Sequence, residues 1–516
     1  MSLELQTPKI DLPEPEIQAR FDRLQAKLVS LWQLIESLED HGEQTIVVVP
    51  SLTVDFDALQ GSLLQAYEER FLFLLFLLRQ PRARLIYVTS QPIQPSIVDY
   101  YLSLLPGIIP SHARERLVLL APQDGAPQPL SIKLLQRPRL LAKLRSLIGN
   151  PERAHLVPFN TTDHERDLAL RLGIPMYGAD PRFLDLGTKS GCRELFKSCD
   201  VQHPVGIENL TDTESLIDAV IELRKTRPEI AEAMVKHNDG VSGEGNAVLD
   251  LGSLPPQRDA VRERLRSLKL EAKHWSVDQY LEKLARYGGV IEQRVIGSPL
   301  TSPSVQLRVT PLGKVELLST HDQLLGGAQG QKYIGCTFPA DPAYAREIST
   351  EALKVGEALA RRGVLGRFAI DFVCGKTDQG WSSYAIELNL RKGGTTHPFL
   401  TLQFLTDGSY DAERSEFRIG DRPKCYVATD SLESASFRQF TPGDLFDICV
   451  RHGLHYDHTR QTGVVLHMLS AIGDHGRLGL TAIADSHAEA RALYERMERA
   501  MHQEAELASH YGSLPE

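Results

Sequence analysis

The sequence predicts a protein of mixed α/β and α+β class. An open, mostly parallel α/β domain is expected at residues 1–180, a central domain at 181–400 and a small α+β cap at 401–516. Three observations lead there. In the first third, short continuous apolar runs alternate with helical periodicity, the spacing of strand–helix units in a parallel sheet. From about 181 the strands come instead in pairs joined by glycine-rich turns. After 400 the chain restarts, with strands and helices spaced as in a small α+β unit.

Residues 14–41 carry apolar residues at three- and four-residue intervals, the period of an amphipathic helix. TIVVVP (45–50), RLIYVTS (84–90), RLVLLAP (116–122) and AHLVPF (154–159) read as buried strands. Helical segments at 56–79, around 96–105 and at 131–148 separate them, and the helix TDHERDLALRLG with the segment IPMYGA completes the domain. The apolar run FLFLLFLL (71–78) is too short to span a bilayer and reads as buried helix ending at Arg79-Gln80-Pro81. In the central domain DLGTKSGCRELFKSC is a loop leading into a helix, and 213–226 is a second helix. EAMVKHNDGVSGEGNAVLDL reads as strand, glycine-rich turn and strand. A charged helix at about 258–274 precedes the strand YGGVIEQRVIGSP. VQLRVTP and KVELLST are strands, and a helix covers 344–361. Beyond 400, polar loops reach to about 422, followed by the strand KCYVATD and a helix near 442–452. Strands in TGVVLHMLSA and RLGLTAIAD and a closing helix from 486 complete the cap.

A chain of 516 residues is too long for one core, so several domains are expected. With 42% hydrophobic and 24% charged residues the composition is that of a soluble globular protein. A net charge of -10 and a pI near 6.0 argue against nucleic acid or an anionic membrane as the main partner. The start, MSLELQTPKIDLPEPE, is too polar for a signal peptide. Six cysteines without a CxxC pair fit the reduced thiols of a cytoplasmic protein better than disulfides or a zinc site. The 17 histidines include no HExxH. His452, His455 and His458 read as a surface cluster, with a metal site as the alternative.

The segment 367–398 carries the chemistry. FAIDFVC, GKTDQG and WSSYAIELNLR read as strand, turn and strand. Strict alternation puts Arg367, Ala369, Asp371 and Val373 on one face, with Phe368, Ile370 and Phe372 on the other. On the return strand Ser383, Ala385, Glu387, Asn389 and Arg391 share a face, opposite Tyr384, Ile386, Leu388 and Leu390. Two acids and an amide grouped in this way suit Mg²⁺. The alternative is the solvent-facing side of an antiparallel sheet, although acids placed side by side repel.

The loop DGVSGEGN (239–246) lies between strands, so it fits neither a P-loop nor a Rossmann turn. Its glycines would let backbone N–H groups approach phosphates, with Lys236 beside them, and a plain flexible hairpin is the alternative. Lys189 opens a helix, where the dipole does not favour a cation. A bound phosphate or simple solvation would account for it. Glu292, in an otherwise apolar strand, suits a linker beside a nucleotide base or an edge-strand position.

Taken in order, these pieces resemble the ATP-grasp superfamily. The resemblance runs over about 181–400 and rests on Lys189, Lys236 with its hairpin, V-I-E-x-x-V-x-G, Asp371 and E-x-N-x-R. The segments RLIYVTSQPIQPSIVDYYL, RKGGTTHP and TGVVLHMLSA are similar to the PGM1-type (pheganomycin-like) peptide ligases. The resemblance implies an ATP-grasp fold with a nucleotide lid at about 200–290 and a metal-site lobe at about 290–400. It implies an ATP-dependent carboxylate–amine ligase, which turns a carboxylate into an acylphosphate that an amine then attacks to form a peptide bond.

In such an enzyme Lys189 and Lys236 would hold the α- and β-phosphates, with Lys236 also acting in catalysis. Gly240, Ser242, Gly243 and Gly245 would cover the phosphates. Glu292, Gln293 and the backbone to Val295 would hold adenine, with the Glu292 carboxylate near its amino group. Asp371, Glu387 and Asn389 would bind one or two Mg²⁺, with Mn²⁺ as a substitute. Arg391 and Arg367 would act on the transferring phosphoryl group. Arg308, Lys392, Thr395, Thr396 and His397 would meet a substrate carboxylate or the γ-phosphate, with a structural turn in GGTTHP as the alternative for the last of these. Ser298 and Pro299 stand where many relatives carry a ribose-binding acid, so the ribose ligand is not assigned. The implied partners are amino acids or peptides, with a homodimer as a compatible assembly. A carboxylase or other acylphosphate-using ligase, and a nucleotide-binding regulatory module without turnover, remain open. The intact set Asp371, Glu387, Asn389 and Arg391 argues against the regulatory module.

Overall fold

The computed structural model describes residues 9–511 apart from 37–41, 54–61, 241–242, 244 and 328–329. The N-terminal strands β1 (Gln44–Val49), β2 (Ala83–Val88), β3 (Leu117–Leu120) and β4 (Ala154–Pro158) form a parallel sheet in the order β3-β2-β1-β4. Each strand is an apolar run, as burial on both sheet faces requires. The expected long first helix is two helices, Glu14–Gln25 and Lys27–Glu36. FLFLLFLL is buried as expected, but in a 3₁₀ helix, Leu72–Arg79, preceded by a helix at Ser62–Glu69. The first part of the expected helix at 56–79 lies outside the described residues.

A second sheet holds β5 (Gly206–Leu210), β6 (Glu232–His237), β7 (Asn246–Asp250), β8 (Lys269–Leu270) and β9 (Gly289–Gln293), in the order β5-β9-β6-β7-β8. Leu216, Ile217 and Val220 of the helix Thr213–Thr226 pack against it with Tyr280 and Leu284. Those last two belong to a helix, Val277–Tyr287, that the sequence reading did not separate. The expected helix at 258–274 stops at Leu265, and Ser276 starts the next one through a capping box with Gln279.

The third sheet, of eleven strands among the described residues, runs through the rest of the chain. It holds β10 (Leu300–Thr301), β11 (Pro303–Val309), β12 (Val315–Gly326), β13 (Lys332–Phe338), β14 (Gly366–Thr377) and β15 (Gly380–Asn389). It continues with β16 (Ser409–Asp411), β17 (Glu416–Ile419), β18 (Arg422–Glu433), β19 (Gly463–His467) and β20 (Arg477–Ala484). The helix Pro342–Arg361 covers its central strands, placing Ile348, Ala352, Val355 and Leu359 against Leu307 and Phe368.

The C-terminal part is therefore no detached cap. β18 pairs with β13 from Gly335↔Thr429 to Phe338↔Tyr426, so its strands extend the central sheet. A helix, Thr396–Thr406, crosses the expected boundary at 400 where loops were predicted. Its apolar residues are spread around the helix, so it shows no amphipathic period, and Phe399, Leu400, Leu402 and Leu405 are all buried. One core joins these residues to Phe71–Leu78 of the N-terminal part and to Val464, Leu480 and Ile483 near the C-terminus. No described helix is long and apolar enough to cross a membrane.

Candidate active site

Strands β14 and β15 form the expected hairpin, with Asp371 opposite Glu387 and Ala369 opposite Asn389. Asn389 Nδ2 donates to Asp371 Oδ2 at 3.0 Å. A bulge between Asp371 and Phe372 shifts the register, because Phe372 pairs with Ala385 and Ile386 is left over. The faces therefore switch below Glu387, and strict alternation fails there. Ala385 sits in the core with Phe372 and Leu388, while Ile386 and Val373 line the same cavity as Asp371, Glu387 and Asn389.

Burial and the adjacent Glu387 push the Asp371 carboxyl above its ordinary range. Burial works against ionisation of Glu387 too, but Lys189 overrides it and holds that carboxyl low. Lys189, first residue of the helix Lys189–Ser198, reaches Glu387 Oε1 with its Nζ at 2.6 Å.

One turn further along that helix, Arg193 meets Glu292 of β9, with Nη1 2.5 Å from Oε2. Lys236 Nζ of β6 takes the other oxygen at 2.5 Å. Glu292 is 2% exposed, and these two cations keep it ionised against the effect of burial. Its carboxylate is thus occupied by Arg193 and Lys236, whereas the resemblance had it near an amino group of a base. The loop after Lys236 joins β6 to β7 as expected, and Gly240 and Gly243 line the cavity. Gly243 has φ +83°, and a Cβ there would lie 2.6 Å from the Gln331 carbonyl oxygen, so glycine is needed twice over. Gly245 closes the loop instead, its carbonyl accepting from His237 N and from Tyr280 Oη at 3.0 Å each. Ser242 lies outside the described residues.

All of this faces one cavity of about 1140 Å³ between the two antiparallel sheets. Glu292, Gln293 and Val295 line it beside Met234 and Ile386, an apolar end next to the paired charges. Arg391, two residues beyond the end of β15, also lines it, its guanidinium 5.8 Å from the centre of the Phe159 ring. The far wall is built by Arg70, Asp430, Ser431 and Arg477, from the N- and C-terminal parts of the chain.

Known proteins resemble this chain in sequence and in fold. A family model described as IQCH-like, ATP-grasp matches residues 184–279 and 270–413, and one for the PGM1 C-terminal domain matches 444–497. The matched segments are those of the ATP-grasp superfamily and of a PGM1-type C-terminal domain. It is 29% identical to an L-propargylglycine–L-glutamate ligase of Streptantibioticus cattleyicolor, over 84% of this chain and 88% of that protein. It is 24% identical to IQ motif-containing protein H of Danio rerio over 92% of this chain, and spans about half the length of that relative. Among solved structures, a biotin carboxylase from Campylobacter jejuni superposes with a TM-score of 0.54 at 12% identity, covering 90% of this chain and 95% of that one. An N5-carboxyaminoimidazole ribonucleotide synthetase gives 0.51 at 12% identity, covering 90% and 98%.

Within this ATP-grasp site, several residues named from sequence stand elsewhere. Arg308 pairs with Glu316 at 2.5 Å and lies 5.4 Å from the Trp32 ring centre, turned toward the N-terminal domain. Arg367, its register partner, lies behind the cavity near Tyr177, and burial lowers its guanidinium to about 10. Lys392 donates to the Pro158 carbonyl at 2.6 Å, and burial, then Arg367, pushes its ammonium down to about 7. Thr396 donates to Gln306 Oε1 at 2.9 Å. His397 contacts His467 and Asp430, and burial pushes it down to about 3. From RKGGTTHP only Arg391, Gly393, Gly394 and Thr395 line the cavity. The reason is the turn after β15, which sends the chain into the buried helix Thr396–Thr406 and away from the cavity. The sequence reading missed Arg193, although its spacing of four from Lys189 puts both on one helix face. Arg70, Asp430 and Arg477 gave no local signal.

His452, His455 and His458 do not share a helix, which ends at Arg451, and His452 pairs with Glu504 at 2.9 Å. All six cysteines are free.

Proposed function

We propose that this chain is an ATP-dependent carboxylate–amine ligase acting on amino acids or short peptides. The observation that carries the reading is the convergence of Asp371, Glu387 and Asn389 with Lys189, Lys236 and Arg391 on one cavity. The donor set fits Mg²⁺: two acids in register and an amide offer hard oxygens, and the mutual repulsion of the acids is relieved by a cation. When bound, Mg²⁺ held by Asp371, Glu387 and Asn389 would supply positive charge that offsets the charge of the phosphates.

The chain's own residues do the rest. Lys189 and Lys236 are point charges for the phosphates, and the backbone at Gly240 and Gly243 covers them. Met234, Val295 and Ile386 give the base an apolar slot beside Glu292. A substrate carboxylate oxygen attacks the γ-phosphorus, forming an acylphosphate and releasing ADP. The amine then attacks the carbonyl carbon, and phosphate and a proton leave. Arg391 is placed to hold the transferring group and the oxyanion of the second step. Arg477 in the wall offers a cation that suits a substrate carboxylate. The name of the bacterial relative, a ligase of L-propargylglycine and L-glutamate, supports two amino-acid substrates.

Phosphate release screened against amino acids and dipeptides, with mass spectrometry of the products, tests the reading. ADP formation that requires two such substrates and yields an amide is expected. ADP formation indifferent to every carboxylate and amine offered would overturn it.

A further inference from the structure

Two of the segments that mark the PGM1-type resemblance, RKGGTTHP and TGVVLHMLSA, end up touching although 70 residues separate their histidines. His397 lies in the helix Thr396–Thr406, Asp430 in β18 and His467 at the end of β19, and all three are buried. His397 Nε2 is 3.0 Å from His467 Nε2, and His467 Nε2 is 2.8 Å from Asp430 Oδ1. The remaining side of the triangle, His397 Nε2 to Asp430 Oδ1, is 3.3 Å.

Protons alone satisfy this triangle poorly. Each imidazole can carry one proton on Nε2, and Arg70 holds Asp430 ionised through Oδ2 at 2.6 Å. With both nitrogens protonated, two N–H groups crowd each other across the 3.0 Å gap. With one, the other nitrogen turns a lone pair on the carboxylate oxygen.

A metal ion resolves every contact. Ligand atoms about 2.1 Å from one ion lie about 3.0 Å apart at a right angle and about 3.4 Å apart at the tetrahedral angle. The three observed separations fall in or near that range. The carboxylate's surroundings and the space around His467 fit as well. Arg70 orients the carboxylate from its far oxygen, as outer partners of metal ligands do. Gly479 lies across from His467, and a Cβ there would fall 2.1 Å from Nε2, so only glycine leaves room for that ring.

We propose that His397, Asp430 and His467 form a second metal site, separate from the Asp371–Glu387–Asn389 group and selective for a transition-metal dication of the Zn²⁺ type. Two imidazoles and one carboxylate favour such an ion over Mg²⁺, which prefers oxygen ligands. The ion would tie β18 and β19 to the helix that follows the GGTT turn, and so fix the cavity wall at Gly394, Thr395 and Asp430. The site does not depend on the ligase reading.

The test uses the full-length protein, purified without chelator or metal affinity resin and dialysed against buffer containing Mg²⁺ as its sole divalent ion. Titration with Co²⁺ and Zn²⁺ is followed by the visible absorption of Co²⁺ and by elemental analysis, and Mg·ATP binding is measured on the same sample. One Zn²⁺ or Co²⁺ per chain, not displaced by excess Mg²⁺, is expected. His467→Ala and Asp430→Asn should each weaken binding by at least about 100-fold, since loss of an outer partner alone costs about 10- to 100-fold. His397→Gln, which keeps volume and neutrality, should do the same in a chain that still binds Mg·ATP. Wild-type protein that binds Mg·ATP but takes up no stoichiometric Co²⁺ or Zn²⁺ would overturn the proposal. So would wild-type metal affinity in His397→Gln. Because metal content is the readout, a failed search for ligase substrates leaves the result standing.

Discussion

Replacing Arg193 with methionine isolates the charge network behind the cavity. Arg193 and Glu292 are each 2% exposed, and the Glu292 carboxylate is shared between Arg193 and Lys236 at 2.5 Å each. Breaking one side of a buried ion pair costs about 3–5 kcal/mol, because a charge is left uncompensated. Lys236 remains in Arg193→Met, so the lower end, about 3 kcal/mol, is expected. Removing all three charges in Arg193→Met/Lys236→Met/Glu292→Gln leaves none of them unpaired and should restore most of it, with a remaining loss of about 1 kcal/mol. A single unfolding midpoint is poorly defined for a chain with several sheets, so the assay is native-state hydrogen exchange at β6 and β9. ATP affinity should also fall in the single variant, where Glu292 has Lys236 as its one remaining cation. Losses in the triple variant equal to the sum of the three singles would refute the reasoning.

Three further outcomes follow from the same geometry. Glu387→Gln should lower turnover by about 100-fold or more with the hydrogen-exchange pattern intact, since it removes charge at constant volume. Near-normal turnover would remove Glu387 from the site's chemistry. Arg391→Lys should lower kcat with little change in ATP affinity, because lysine lacks the planar fork, while Lys236→Met should raise the KM for ATP, and kinetics on both variants check the split. Burial raises the Glu69 carboxyl to about 7, above its ordinary 4.5. A raised acid favours the folded state fully below the unfolded value, and that contribution is lost as pH climbs from 4.5 through about 7. Glu69→Gln should therefore stabilise the protein by about 1–3 kcal/mol near pH 8 and by much less near pH 5, read from native-state hydrogen exchange around Glu69 at both. An equal effect at the two pH values would contradict the assignment.

The hairpin at 366–389 was legible because two alternating strands and a glycine turn leave few other pairings. Its bulge was not, since an extra residue carries no mark in composition, and it moved Ala385 into the core and Ile386 to the cavity. The four parallel strands were legible as apolar runs. The helix Thr396–Thr406 was hidden for the opposite reason, being buried on nearly every side with its apolar and polar residues mixed. Lys189, Lys236, Glu292 and the β14–β15 residues were found because each breaks a local pattern. Arg308, Arg367 and Lys392 break patterns too, yet Arg308 answers to Glu316 on the neighbouring strand, and Arg367 and Lys392 answer to Tyr177 and the Pro158 carbonyl across a domain contact that no local spacing encodes. The far wall, Arg70 with Asp430, joins residues 360 positions apart and becomes visible only when β18 is seen to extend the central sheet.

The central claim is that a carboxylate is activated by phosphoryl transfer before an amine attacks. Once the amino-acid screen has supplied a turning-over pair, the carboxylate substrate can be labelled with heavy oxygen at both positions and the released phosphate analysed by mass spectrometry. Attack of that carboxylate on the γ-phosphorus leaves one of its oxygens on the phosphate, so each phosphate should carry one heavy atom. Unlabelled phosphate formed in step with amide product would contradict the account.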